Sequence, residues 1–126
     1  MAWSTGRKGK GEQRRHFPVA PKELRTDAQG RVHDSKSEMI RFKELELQQS
    51  LGMIRNLRRQ VPFSMIVNGV RIRQAWKADF TYDEFIDGQW RPVVEDNGAI
   101  DARHSRMTRN LMKALHNIDV RLTQAR

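Results

Sequence analysis

The chain has no cysteine, which excludes both a disulfide framework and a thiolate zinc site. Any metal would have to be held by oxygen or by the four histidines. His16, His33, His104 and His116 show no ligand spacing such as His-Glu-x-x-His, so they are assigned no catalytic role. Also missing is any apolar run approaching the roughly 18 residues of a membrane span. The first residues are polar and basic where a signal segment would be apolar, and no internal repeat occurs. A cytoplasmic chain with no membrane partner is expected. Its 126 residues suit one modest domain with a limited core. Acid is scarce as well: 15 Asp and Glu stand against 24 Lys and Arg, a net charge of +9.

The excess charge is unevenly placed. Residues 1–25 carry seven cations and two acids, residues 101–126 carry six and two, and residues 26–100 carry eleven of each. Basic ends around a neutral middle that holds an acidic cluster suit a polyanion binder with a metal-recruiting centre. Residues 1–25, with Gly-Arg-Lys-Gly-Lys-Gly and Arg14-Arg15, read as a flexible basic arm able to track phosphates, with Trp3 and Phe17 able to stack on bases. Residues 26–126 form the folded domain.

Within that domain Asp27-Ala28-Gln29-Gly30 reads as a turn, and Asp34 or Ser35 can cap a helix from about Ser35 to Leu51. Ser35 with Glu38 three residues later makes a capping box. Met39, Phe42 and Leu45, with Ile40 and Leu47, give an apolar stripe, and Gly52 closes the helix. Strand-like stretches follow at 54–67, 70–82 and 90–95, joined by Asn68-Gly69 and Asp87-Gly88, the residues that primed hairpin turns require. Pro62 marks the first strand as an edge or bulged strand. A second helix, about 102–116, has Met107, Leu111, Met112 and Leu115 as its apolar face, and residues 118–122 read as a short final strand.

Asp79, in Ala78-Asp79-Phe80-Thr81-Tyr82, closes one apolar run; Glu95-Asp96, after Val93-Val94, closes the next. Hydrolysing a phosphodiester takes one or two divalent cations, Mg2+ or Mn2+, and hard cations want carboxylate oxygens. Asp79 and Asp96 can supply them. Strand alternation puts Lys77, Asp79 and Thr81 on one face, and lets only one of Glu95 and Asp96 point at Asp79. Arg106, Arg109 and Lys113 fall on one face of the second helix, which also carries Arg103 and His104. These cations could grip a phosphate backbone, with Arg71 and Arg73 of the hairpin extending the surface.

The order helix, three-stranded meander, helix, strand is that of the αβββαβ restriction-endonuclease-like core, an α/β (α+β) mixed sheet flanked by helices. Ser35-Lys36-Ser37-Glu38 with Arg41-Phe42 and Glu44-Leu45, then Ala78-Asp79-Phe80-Thr81-Tyr82, then Val93-Val94-Glu95-Asp96, resemble a family of small phage-borne nucleases in the PD-(D/E)XK superfamily, related to Holliday-junction resolvases. The resemblance covers roughly residues 26 to 122. It implies that Glu38 assists from the first helix. The phage pattern Glu-Asp-x-Lys makes Asp96 the second ligand and puts a lysine at position 98; the broader Glu-x-Lys pattern uses Glu95 and puts the lysine at position 97. Here those positions are Gly98 and Asn97. Three readings stay open: Asn97 holds the attacking water, Lys77 supplies the charge from the neighbouring strand, or cleavage is lost and DNA binding kept.

The expected activity is therefore metal-dependent endonucleolytic cleavage of DNA, branched or recombination-intermediate DNA being the implied substrate, in a bacterial host cell. A homodimer is expected, because cutting two strands takes two sites. The alternatives are a catalytically degenerate nuclease fold that binds DNA or serves host takeover, and a basic RNA-binding or ribosome-associated protein.

Overall fold

A computed structural model describes residues 19–98 and 103–124. Arg14, Arg15, Trp3 and Phe17 of the expected basic arm lie outside the described residues. Structure begins before residue 26: a single 3-10 turn, Lys22–Arg25, is tied down by Arg25, which donates to the carbonyls of Ala20 at 2.9 Å and His33 at 2.6 Å. The expected turn follows. Asp27 Oδ1 accepts the backbone N–H groups of Gln29 and Arg31, while Gly30 takes a φ of +85°, which its missing Cβ permits. His33 is buried with its ring between Asp27 Oδ2 and Arg59 Nη1, 2.9 Å from each, which makes it a structural link.

Helix α1, Lys36–Ser50, starts where Ser35 Oγ accepts the N–H of Glu38 at 3.0 Å. Only half of the capping box is made: the Glu38 carboxylate is buried and accepts from Gln60. Met39, Phe42 and Leu45 are buried as expected, whereas Leu47 is 61% exposed because it falls on the outer side of the helix.

Strands β1 (Ile54–Phe63), β2 (Ile66–Val67), β3 (Val70–Arg71), β4 (Trp76–Ile86) and β5 (Gln89–Gly98) lead to helix α2 (Arg103–His116) and strand β6 (Arg121–Gln124). The four-stranded sheet has the order β1-β4-β5-β6, with β1, β4 and β5 antiparallel and β6 parallel to β5. This is a mixed α+β fold, and its element order is the expected one. The expected long hairpin is divided, however. Met65 turns into the core, leaving β2 and β3 as a separate two-stranded ribbon around Asn68-Gly69. The second strand runs on to Ile86, the third to Gly98, and the last begins at Arg121, because Ile118 and Val120 are spent on packing. β1 is an edge strand with a bulge, but the bulge lies between Arg55 and Arg58, ahead of Pro62.

Val93 and Val94 show how the sheet is covered, since neighbours in a strand face opposite ways. Val93 joins Phe42, Leu45, Ile54, Phe80 and Tyr82 beneath α1. Val94 joins Met65, Ala78 and Met112, with Leu111, Leu115 and Ile118 packed against them. Met107, expected in this core, is 55% exposed; Thr108 is buried in the same turn of α2. Among the described residues no helix is long and apolar enough to cross a membrane.

Candidate active site

Strands β4 and β5 pair from Ile86/Gln89 as far as Phe80/Glu95 and then part. Beyond that point the first residues of β4 pair with β1 alone, and Asp96–Gly98 pair with β6 alone. Asp79 and Asp96 stand immediately past the last shared pair, so both aspartates are inside their strands and border a fork in the sheet. There the side chain of Asp79 replaces the missing ladder: its Oδ2 accepts the backbone N–H of Asn97 at 2.7 Å. Glu38 comes to the same place from the first turn of α1. The side-chain nitrogen of Gln60, in β1, donates to Glu38 Oε1 at 2.8 Å and to Asp79 Oδ1 at 3.3 Å.

Crowding of acids has electrostatic consequences. Asp79 is pushed up to about 8, chiefly by burial and then by the charge of Glu38, with Asp96 close enough to share a proton; the Asn97 N–H works in the other direction. Glu38 is pushed up to about 7, again mainly by burial and then by Asp34, while Gln60 and Arg59 partly offset this. Among the described residues, no group of three or more His, Asp or Glu is already gathered closely enough to hold a metal ion. The Gln60 amide lies between two of the carboxylates concerned.

Glu95 is engaged elsewhere, by α1 and β6. It is fully buried under α1, and its oxygens are engaged by Arg41 Nε at 2.7 Å and Nη2 at 3.0 Å, by the Tyr82 hydroxyl at 2.7 Å and by Thr123 Oγ1 at 3.0 Å. A carboxylate with both oxygens so occupied is a structural anchor, and of the two acids only Asp96 borders Asp79. Asn97 shares the alternation of Glu95. Its Oδ1 accepts from Ser37 Oγ at 2.8 Å and its Nδ2 donates to Thr123 Oγ1 at 2.9 Å, so the side chain ties α1, β5 and β6 together. Its backbone N–H donates to Asp79.

Lys77 is exposed and makes no hydrogen bond or ion pair with Asp79 or Asp96. Gly98 is two residues from Asp96 on β5, and a Cβ there would meet nothing within 4 Å. The basic residues are spread along α2 and the ribbon. Arg71 and Arg106 are exposed, Arg109 donates to Ser105 Oγ, Lys113 pairs with Asp119 at 3.2 Å, and Arg73 reaches from the ribbon to Thr108 Oγ1 at 3.0 Å. Arg103 opens α2. A groove of about 700 Å³ on the sheet, lined by Leu57, Arg58, Val61, Thr81 and Val94 among others, includes none of Glu38, Asp79 and Asp96.

Two residues were given no role by the sequence reading. Arg41 had a usable signal, since a guanidinium at helical spacing between Glu38 and Leu45 faces inward and needs a buried acid. Gln60 had none: a glutamine inside a strand pattern is ordinary until its backbone conformation is known. Searches against protein-family models, curated proteins and solved structures each found no match, so the reading of the site rests on its own residues.

Proposed function

We propose that this chain is a divalent-metal-dependent DNA endonuclease of the PD-(D/E)XK type. The observation that carries the reading is the fork: Asp79 and Asp96 meet where β4 and β5 part, and Glu38 joins them from α1. Oxygen-only donors, with two carboxyls held above their ordinary range by burial and by neighbouring acids, fit Mg2+ or Mn2+, whose charge would relieve that repulsion. Bound there, such an ion polarises a phosphoryl oxygen and acidifies a water.

The chain's own residues have separable parts. Asp79 and Asp96 bind the ion, and Glu38 is placed to hold or deprotonate the water. Asn97 contributes through its backbone, which fixes the orientation of Asp79. Arg71, Arg106, Arg109 and Lys113 supply phosphate contacts, to which Arg103 and the basic residues preceding 26 would add. DNA, including branched forms, is the substrate class, the bacterial cytoplasm the setting, and a homodimer the form that cuts both strands.

One observation favours a second reading, a DNA-binding protein that no longer cleaves: position 98 is glycine, and Lys77 makes no bond to the carboxylates. Incubation with supercoiled plasmid, single-stranded DNA and a four-way junction in Mn2+ separates the two. Cleavage abolished by Asp79→Ala is expected. Binding without cleavage of any substrate, indifferent to metal, sinks the endonuclease reading and leaves the second.

A further inference from the structure

Gln60 lies across from Asp79, between the paired positions Arg59/Phe80 and Val61/Ala78. Its backbone is left-handed, with a φ of 52°, a conformation that a long unbranched side chain seldom adopts and that concentrates at functional sites. The outcome of that conformation is visible in its contacts. One amide nitrogen donates to Glu38 Oε1 at 2.8 Å and to Asp79 Oδ1 at 3.3 Å, thereby bridging α1 and β4 at the fork. Its Oε1 accepts no hydrogen bond from the described residues.

Resting on the metal-site reading above, we propose that Gln60 is a positioning residue for the cation: its amide holds Glu38 and Asp79 in convergence while no ion is bound, and turns over to present Oε1 when one is. The two ends of a primary amide have nearly the same shape and opposite polarity. A half-turn about the last side-chain torsion, which is soft and roughly two-fold, therefore exchanges a donor facing two acids for an oxygen facing a cation. No backbone movement is needed. A donor left in place would oppose the ion, and an apolar residue would leave Glu38 and Asp79 without a shared partner. Glutamine at this backbone position serves both states.

The test is Mn2+ binding by calorimetry on the full chain and on Gln60→Asn and Gln60→Gly variants. Asn and Gly both accept a left-handed backbone, so the fold is kept, which melting in EDTA checks; Asn keeps the amide but is one methylene too short. Both variants are expected to bind Mn2+ about ten- to a hundred-fold more weakly, the effect usual for groups that orient metal ligands. In parallel, the Gln60 side-chain NH2 resonances of nitrogen-15-labelled protein are expected to move in saturating Mg2+ to the positions of an amide with no carboxylate partner, because turning over takes the NH2 off Glu38 and Asp79, whereas a glutamine that kept its place would stay hydrogen-bonded to them. Unchanged affinity in both variants, or NH2 resonances that stay put in saturating Mg2+, overturns this inference while leaving the metal site standing. Failure of the unaltered chain to bind Mn2+ overturns the metal reading itself, and this inference with it.

Discussion

Replacing Asp79 by asparagine is expected to stabilise the metal-free protein above neutral pH. The carboxyl stands at about 8 in the folded chain against an ordinary 3.8. Between those limits the folded state holds a proton that the unfolded state has released. Stability from this group is therefore complete below about pH 4 and is lost as pH rises through about 8. About four pH units at about 1.4 kcal/mol each bound the effect near 6 kcal/mol. Burial raises the carboxyl first and the charge of Glu38 second, and because the acids at the fork titrate together, removing one is set at roughly half of that bound, about 2 to 3 kcal/mol. Asparagine retains an oxygen for the Asn97 N–H but turns its own NH2 toward Gln60, losing a weak bond of about 0.5 kcal/mol. In a chain of this size the net gain at pH 8.5 raises the melting temperature by about 10 °C. Thermal melts of both proteins in EDTA at pH 5 and pH 8.5 check this. The variant should be nearly equal to the parent at the lower pH and clearly more stable at the higher. No gain at pH 8.5 refutes the burial and crowding of Asp79 at the fork.

Gly98→Lys is expected to raise Mn2+-dependent nicking of plasmid by at least about ten-fold, since a Cβ at 98 meets open space and the new ammonium would stand two residues from Asp96; plasmid nicking rates check it. Arg41→Ala should cost about 3 to 5 kcal/mol in urea denaturation, because it strips the cation from the fully buried Glu95. Glu95→Gln should likewise destabilise the fold yet leave Mn2+ affinity, measured by calorimetry, unchanged. Ser35→Ala should cost about 1 kcal/mol by chemical denaturation, the loss of one helix N-cap.

Much of the fold could be read from local chemistry. Ser35 announced the helix and Asn68-Gly69 and Asp87-Gly88 the turns, because capping and positive φ select residue types within a few positions. The division of the long hairpin was not legible: Met65 looks like any strand residue, and only tertiary packing draws it inward. Asp79 and Asp96 were legible at the site as acids in apolar runs. That they border a parting of strands was not, since pairing depends on partners elsewhere in the chain. The hydrogen-bond partners of Glu95 were not legible for a related reason. Its guanidinium partner lies in α1, 54 residues earlier, and nothing near Glu95 signals burial.

Strand β6 has a consequence for the order of assembly. Thr123 holds both Asn97 and Glu95, and the parallel pairing of Arg121–Gln124 is what occupies the residues of β5 beyond the fork. A parallel partner cannot be added by a hairpin and must return over a helix. During synthesis, then, α1 and the antiparallel strands can assemble while Asp96 still lacks its neighbour on the β6 side. The acids stay loosely placed until α2 has crossed the sheet and the strand after it has docked. On the proposed reading, a metal site at the fork would thus be completed only after the last strand has docked.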